Sequence, residues 1–447
     1  MKKMKKIILF IASGIFILSC EKSVEGLNDN PNQYTDTPIG LILNHTLLNV
    51  ASIAEAEPAR ITAIFNDQFT GVDRQYGTLN GYSTGATTYE SFWEDIYQRG
   101  VTQAQITKNK AVDGGNSLVE GQALILEAYY FAEAALVFGD IPFTEVNDPS
   151  FPDPQYDGQE SVIRGAISMI SDGISKTGSS SAKNNVFDTS STWAQIGNAL
   201  KARYYLALGE MANANASAIA ANFTSADNDW NIKHSISNYG ENLFWQFEVE
   251  QRQDYLKVEN SYMSNLLNSS TDVYRGNSKT DETGRFNYYV AENGLSLNTS
   301  SNGFAAQTRS FPVISFEEVQ LIIAETSTSN DDAIAALNKV RAHNASKFES
   351  TYDAYVLTDF ETGGIINRGL STENAIKMEV LLEKFCSVIG LPTYQDILRT
   401  DNFIGVPIKG TGTTIIPQRF IYPASEESSN SNFPGLIDQF VQTPIHQ

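Results

Sequence analysis

Residues 121–140 read GQALILEAYYFAEAALVFGD, and their pattern indicates the fold class. Apolar side chains recur at every third or fourth position, which is the spacing of one face of an α-helix. Glycine at position 139 and proline at position 142 then form a stop signal, because neither residue continues a helix well. The stretch predicts a long core helix whose buried face carries Leu124, Ala128, Phe131, Ala135 and Phe138.

Other segments show the same helical spacing. Ser315 followed by Glu318 is the pattern of a capping box, which predicts where one of these helices begins. Alanine-rich faces let neighbouring helices approach closely, as they do in helical repeat proteins. The sequence therefore predicts a mainly α protein built from helix pairs, with further helices in 191–212, 315–327, 331–343 and 374–390.

Two long regions between these helices lack clear periodicity. Residues 66–90 and 225–312 are rich in Asn, Ser, Thr, Gly and Tyr. Long irregular segments in a compact protein are usually either functional or disordered, and the high aromatic content here argues against disorder. The sequence therefore predicts that these two regions are ordered and functional.

The N-terminal residues indicate export. MKKMKK is followed by twelve uncharged residues, 7–18, and then by Ser19 and Cys20. A bilayer-spanning helix needs about 20 apolar residues, so this stretch fits a signal-peptide core instead. The order basic, apolar, small and Cys resembles a bacterial lipobox, which predicts a signal peptide over 1–19 and a lipid on Cys20. The alternative is an ordinary signal peptide that happens to contain a cysteine.

Charge and cysteine content narrow the functional classes. Loss of residues 1–19 removes four lysines and changes the formal charge from −21 to −25. Such an acidic chain is not expected to bind nucleic acid or to dock electrostatically on anionic lipid. With Cys20 lipidated, Cys386 has no partner for an internal disulfide, and its apolar helical setting favours a buried hydrophobe over a nucleophile.

Several short phrases, taken in order along the chain, resemble the SusD/RagB nutrient-binding lipoproteins of Bacteroidetes, and particularly the subgroup with an N-terminal LNxNPN. Two phrases depart from the family pattern: 394–400 lacks the family's tryptophan and first arginine, and 272–275 retains only part of a DPR phrase. The matching phrases are LNDNPN at 27–32, FGDIP at 138–142, YDGQESV at 156–162, SFEEVQLIIAET at 315–326, LNKVR at 337–341 and QRFIYPASEESSNSN at 418–432.

This resemblance implies a fold, a location and a partner. The fold would be a single SusD-like domain over 20–447, in which tetratricopeptide-like helix pairs form a scaffold for a long-looped ligand-binding face. The protein would be lipid-anchored on the outer face of the outer membrane. There it would bind oligosaccharides and deliver them to a SusC-like TonB-dependent transporter. A peptide-binding RagB-like role is the alternative, and a scaffold that binds only protein is a third interpretation.

An enzyme is the competing class. The four histidines, His45, His234, His343 and His446, show no zinc-site spacing, and no Walker-type glycine loop is present. A glycosidase carboxylate pair remains an alternative, but with 52 acidic residues some pair is always available. No cofactor is predicted. Calcium is a weak alternative at 148–158 and 225–231, where the simpler interpretation is a solvated turn.

The candidate ligand-binding residues come from the irregular regions. A sugar site needs flat aromatic rings together with a few polar groups. In the first region the candidates are Asp73, Arg74, Tyr76, Asn80 and Tyr82, and in the second they are Trp230, Trp245, Tyr274 and Tyr289. The net charge favours a neutral glycan over a strongly acidic one. Aromatics on the helical phrases are expected to be core residues, namely Trp93, Tyr129, Tyr130 and Tyr204.

Overall fold

The computed structural model describes residues 37–447, and helices dominate them. The predicted signal peptide 1–19, Cys20 and the LNDNPN phrase lie outside the described residues. The main helices are α1 Ile39–Ala54, α2 Glu57–Phe65, α3 Arg74–Asn80, α4 Glu90–Glu94, α5 Thr102–Asp113, α6 Ser117–Phe138, α7 Gln159–Thr177, α8 Trp193–Ala207, α9 Met211–Ala221, α10 Leu243–Trp245, α11 Tyr262–Leu267, α12 Thr283–Tyr289, α13 Phe316–Thr326, α14 Asn330–Lys347, α15 Thr372–Ser387, α16 Leu391–Arg399 and α17 Ala424–Ser429.

Helices that follow each other along the chain pack as antiparallel pairs, which confirms the predicted mainly α scaffold. The pairs are α6 with α7, α8 with α9, and α13 with α14. Where α6 crosses α7, a Cβ on Gly121 would lie 2.7 Å from the carbonyl oxygen of Gly173. Glycine is therefore needed for the two backbones to approach this closely.

The helix predicted from the opening stretch forms, and it begins earlier than expected, at Ser117. The side chain of Asn116 caps its first turn by accepting from the backbone N–H of Val119 at 3.2 Å. It ends before Gly139, whose φ of 87° is costly for any other residue. Most of its 22 residues are buried, including Tyr129 and Tyr130, so α6 is a central core helix.

One predicted helix differs from the structure. The segment 191–212 was expected to be continuous, but α8 ends at Ala207 and α9 begins at Met211. Gly209 lies between them with φ of 73°, a left-handed conformation that reverses the chain direction. Helical spacing continues through this break in the sequence, so periodicity alone does not reveal it.

The predicted capping box at Ser315 is made in part. The Ser315 hydroxyl accepts from the backbone N–H of Glu318 at 3.1 Å and caps α13. The Glu318 carboxylate does not complete the box, because it binds the guanidinium of Arg203 on α8 instead. Helix α15 also forms as expected, and it buries Cys386.

Seven short strands form three small antiparallel sheets in the described part of the chain. The pair β1–β6 is notable because it joins the two irregular regions, with Thr70 opposite Lys257 and Gly71 opposite Leu256. The others are the pair β2–β3 and the three-stranded sheet β4–β5–β7. The strands are β1 Thr70–Gly71, β2 Ile141–Pro142, β3 Tyr156–Asp157, β4 Phe187–Asp188, β5 Trp230–Ile232, β6 Leu256–Lys257 and β7 Phe311–Ile314.

Residues 42–447 form one compact unit. Among the described residues, the stretch 39–65 is apolar and long enough to span a membrane by length and composition. Val50, Ile53 and most of α2 are nevertheless buried within the protein. The core helix of a soluble protein can pass the same length and composition test, so this stretch by itself is weak evidence for a membrane span.

Candidate ligand-binding cleft

A cleft of about 510 Å³ opens where the helix pairs meet the irregular regions. Helices α6, α8, α12, α13 and α14 form part of its wall. Residues from 226–231, 301–313 and 387–392 form the rest, together with Ala54 at the end of α1. Its volume falls within the range of about 300–1,000 Å³ that is typical of small-molecule sites. Its lining is mixed, with aromatic rings, hydroxyl groups and charged side chains.

Two carboxyl groups in the cleft differ in their ionisation. Glu317 is bound by Lys347 Nζ at 2.8 Å and His343 Nε2 at 3.2 Å. Burial by itself would raise the pKa of Glu317, but Lys347 and His343 outweigh it and hold that pKa well below its usual range. Glu317 is therefore a permanent anion that is already paired.

Asp229 is the other carboxyl. It is only 8% exposed, and its Oδ1 accepts from the backbone N–H of Phe316 at 2.6 Å. Burial, reinforced by the negative charge of Glu317, raises the pKa of Asp229 well above its usual range. A carboxyl held in its protonated form can donate a hydrogen bond as well as accept one. Burial and the charge of Glu317 both favour the uncharged form of Asp229, which lines the cleft.

Tyr288 places a half-buried aromatic ring at the cleft. The guanidinium carbon of Arg309 lies 5.6 Å from its ring centroid, and Lys347 Nζ lies 5.7 Å from it. Both cations are within reach of a cation–π interaction, which orients the ring. Hydroxyl groups of Ser301, Thr308 and Ser310 line the same cleft. The combination of one ring and several hydroxyl groups suits a ligand rich in hydroxyls.

A buried ion-pair network holds the wall of the cleft in place. Arg203 donates to both carboxylate oxygens of Glu318, each at 2.7 Å, and to the backbone oxygen of Val313 at 2.6 Å. It also contacts Glu133 on α6 at 3.2 Å. Bidentate guanidinium–carboxylate pairs are geometrically strict. The network therefore fixes β7 and the first turn of α13 against α6 and α8.

The structure places Tyr76 and Tyr82 in the core, which corrects the expectation that both rings lie in an exposed loop. Each is 2% exposed. Tyr76 is in helix α3, accepts from Arg60 Nε at 2.9 Å, and packs on the Phe247 ring with centroids 4.8 Å apart. The Tyr82 hydroxyl accepts from the backbone N–H of Lys409 at 3.2 Å. Glycine- and threonine-rich surroundings suggested a loop, but packing against distant segments decides their burial.

The polar candidates beside them have structural partners. Asp73 caps α3 by accepting from the backbone N–H of Arg74 at 2.9 Å, and both residues are exposed. The Arg74 guanidinium lies 6.0 Å from the centroid of the Tyr255 ring. Asn80 accepts from Lys409 Nζ at 2.8 Å. Strands β1 and β6 bring this segment beside residues 249–257, and we call the exposed residues Asp73, Arg74 and 249–254 the loop face. Ligand contact there stays a prediction.

The four candidates from the second irregular region, 225–312, differ in how deeply they are buried. Trp230 is fully buried in β5, and Tyr289 is buried with its hydroxyl donating to the carbonyl oxygen of Cys386 at 3.0 Å. Trp230 is therefore a core residue and not an exposed platform. Trp245 and Tyr274 are half-buried, and the Tyr274 hydroxyl accepts from the backbone N–H of Glu282 at 3.3 Å. Tyr289 is the candidate that also borders the cleft.

Several cleft residues were not predicted from the sequence. Asp229 did lie in the acidic turn 225–231, and Tyr288 adjoins the predicted Tyr289. The remaining ones lie on helices or before a strand and show no local motif; they are Arg309, Glu317, His343 and Lys347. The aromatics expected to be structural are confirmed as buried: Trp93, Tyr129, Tyr130 and Tyr204.

Three sequence features that could indicate an enzyme or a calcium site have other roles in the structure. Residues 81–85, GYSTG, have the spacing of a serine-hydrolase elbow, but they follow helix α3 and not a strand, which the elbow requires. Cys386 is buried as predicted, and its burial raises the pKa of the thiol to about 12. Within residues 37–447 no group of three or more His, Cys, Asp or Glu side chains is placed to hold a metal ion. In 148–158, Asp148 instead caps a turn by accepting from the backbone N–H of Ser150 at 2.8 Å.

Comparison with known proteins connects the fold and the cleft to one group. A family model named SusD-like, described as "starch-binding associating with outer membrane", matches residues 31–342. No protein with curated annotation matches the chain.

Solved structures share the fold at low sequence identity. A SusD/RagB family protein from Bacteroides thetaiotaomicron is 18% identical with a TM-score of 0.65, covering 89% of this chain and 95% of its own. A SusD homolog from Parabacteroides distasonis is 12% identical with a TM-score of 0.68, covering 92% and 98%. A chitin-binding SusD homolog from Flavobacterium johnsoniae is 13% identical with a TM-score of 0.64, covering 91% and 99%.

Proposed function

Because this chain belongs to the SusD-like family, whose model matches residues 31–342, we propose that it binds a glycan at the surface of a bacterial outer membrane. The observation that carries this proposal is the cleft with its single half-buried ring, Tyr288, among hydroxyl and amide groups. The family description and the chitin-binding relative support the same ligand class.

The chemistry of the cleft matches that of a sugar. A pyranose ring offers an apolar C–H face that packs on an aromatic ring, and its hydroxyls need both donors and acceptors. Tyr288 supplies a ring, Asp229 can donate or accept, and the Ser and Thr hydroxyls can rotate to do either. The proposed function is binding without turnover, which the family description supports. Glu317, the ionised carboxylate of the cleft, is already paired with Lys347 and His343.

Delivery is the finer part of the proposal. We propose that the protein is lipid-anchored through Cys20, faces the cell exterior and passes its ligand to a SusC-like TonB-dependent transporter. The family resemblance supports this role, and the order of basic, apolar, small and Cys residues supports the anchor. Cys20 lies outside the described residues. A peptide ligand is the alternative that the binding experiments distinguish.

Replacement of Tyr288 by alanine is expected to weaken glycan binding by about tenfold, equal to about 1.4 kcal/mol, because a sugar ring would lose its stacking partner. Isothermal titration calorimetry with an oligosaccharide found in a glycan screen measures this change. Tyr239→Ala is the matched control, since Tyr239 is 88% exposed and lies outside the cleft and the loop face. Loss of binding in an Asp73→Ala, Arg74→Ala double variant, with Tyr288→Ala unaffected, would place the ligand on the loop face instead.

Cys20→Ala is expected to release the folded protein from the membrane, because no other attachment is predicted for so acidic a chain. Cell fractionation in a strain without the transporter measures the soluble share. Cys386→Ala is the control, since this buried thiol should not affect membrane attachment. A Cys20→Ala protein that stays in the membrane fraction would contradict the anchor.

In native membranes, the wild-type protein should also copurify with a large barrel protein after detergent extraction.

A further inference from the structure

We propose that the cleft takes a glycan that bears carboxylate groups, such as a uronic-acid oligosaccharide, and that Arg309 binds the carboxylate. This inference rests on the proposed glycan-binding function and adds the chemical class of the sugar. It follows from how the charged groups of the cleft are paired.

Most charged side chains of the cleft already have partners of opposite charge. Glu317 is paired with Lys347 at 2.8 Å and with His343 at 3.2 Å. Arg203 is saturated by Glu318 at 2.7 Å and Glu133 at 3.2 Å. Each of these groups has at least one partner of opposite charge within the protein, so none of them is left unpaired for a ligand.

Arg309 is different. Its Nε donates to the carbonyl oxygen of Gly303 at 3.2 Å, and its Nη2 reaches the carbonyl oxygen of Ser301 at 3.4 Å. Its remaining contact is with the Tyr288 ring, and no carboxylate within residues 37–447 lies within ion-pair distance of it. A guanidinium stays charged at all physiological pH values. Arg309 therefore brings a positive charge to the cleft that the described protein does not neutralise.

The position of this charge suits a ligand. The two backbone contacts and the Tyr288 ring orient the guanidinium while leaving Nη1 without a hydrogen-bond partner in the described residues. A planar guanidinium fork matches a carboxylate better than it matches a hydroxyl. Tyr288 lies beside it, so a sugar ring that packs near Tyr288 can direct a carboxylate at C6 towards Arg309. Asp229 also lines the cleft, and its burial disfavours the negative charge that would repel an anion.

The overall charge of the chain does not oppose this binding mode at physiological salt. The full sequence carries a formal charge of −21, which favours neutral glycans when charge is considered alone. Charges separated by more than about 8 Å are largely screened at 0.15 M ionic strength, however. The charges of distant acidic residues therefore have little effect on whether a carboxylate binds the unpaired Arg309 guanidinium in the cleft.

Matched probes test the inference directly. The acidic probes are trigalacturonic acid, an alginate trisaccharide and a hyaluronan tetrasaccharide, and each is compared with its methyl-esterified form, which has the same skeleton and no charge. At least one acidic probe is expected to bind the wild-type protein at least tenfold more tightly than its ester. Arg309→Gln is expected to lower binding of that acidic probe to the level of its ester, and Arg309→Lys to restore part of the preference. Arg368→Gln, at an exposed arginine outside the cleft, is the charge-matched control.

The outcomes separate this inference from the proposed function. Binding of neutral glycans with no preference for any acidic probe would overturn the inference and leave glycan binding intact. Failure to bind any glycan in a broad screen would remove the proposed function as well. Acidic-probe binding that Arg309→Gln does not change would overturn the assigned residue. Binding of an oligoglutamate peptide in place of the sugars would overturn the ligand class. Thermal unfolding of each variant confirms that it is folded.

Discussion

Glu383→Gln is expected to lower the free energy of unfolding by about 3–5 kcal/mol, which is the usual cost of removing one partner from a buried ion pair. Glu383 on α15 accepts from Arg275 Nη2 at 2.7 Å and from Arg285 Nη2 through its other carboxylate oxygen. All three side chains are fully buried. The variant leaves two guanidinium groups in the protein interior with less opposite charge around them.

Chemical denaturation followed by circular dichroism measures this change. The matched control is Glu160→Gln, because Glu160 forms an exposed ion pair with Arg164 at 2.8 Å. Exposed pairs contribute little, so a change within about 0.5 kcal/mol is expected there. Equal small effects for both variants would show that the buried ion pairs of Glu383 do not stabilise the fold.

The ion pairs of Glu383 with Arg275 and Arg285 also predict that the stability of the protein depends on pH. Burial opposes ionisation of Glu383, but Arg275 and Arg285 outweigh it and hold its pKa well below its usual value of 4.5. A carboxyl whose pKa is lower in the folded state contributes stability above its unfolded pKa and loses that contribution as the pH falls towards its folded pKa. The difference in stability between wild type and Glu383→Gln should therefore shrink below about pH 4.5. A difference that is constant from pH 7 to pH 3 would contradict this assignment.

Trp230→Ala is expected to cost about 3–5 kcal/mol of stability, as large-to-small changes at buried aromatics usually do. Its ring lies 4.5 Å from Phe187, 6.0 Å from Trp193 and 6.1 Å from Tyr129, measured between centroids. The residue sits in β5, between β4 and β7, so the cavity would open at the centre of that sheet.

Urea denaturation of Trp230→Ala and Trp245→Ala measures the contrast. Trp245 is half-buried at the end of a short helix, and a loss of about 1 kcal/mol is expected there. The two variants exchange the same residue types, so they differ only in where the tryptophan lies. Trp230→Ala protein that is as stable as wild type yet binds glycan more weakly would return Trp230 to the ligand-binding residues.

Local sequence patterns were sufficient for the scaffold. The apolar spacing of 121–140 and 374–390 predicted α6 and α15, because helix formation and core packing impose the same repeat along the chain. Ser315 marked the start of α13 because a cap acts within four residues. The family was identifiable because phrases that resemble it occur in the family's order along the sequence, from residue 27 to residue 432.

Burial of individual rings in the irregular regions was not predictable in this way. Tyr76 and Tyr82 were expected in a loop, but Phe247 and Lys409 cover them from segments far away in sequence. Whether a ring is exposed depends on which distant segments pack against it. The amino-acid composition around the ring does not contain that information. Trp230 was expected in an irregular region and is buried in β5 for the same reason.

The cleft itself exists only in the tertiary structure. Asp229, Tyr288, Arg309 and Lys347 are separated by up to 118 positions in the sequence and meet because β7, α12 and α14 pack around one opening. Their charge states depend on this meeting, since burial and neighbouring charges set the pKa of Asp229 and of Glu317. The sequence by itself determined most of the helices, because their apolar spacing is short-range, and it indicated the family through phrases that resemble it. Only the tertiary structure decided the site, because the interactions that create it act through space and not along the chain.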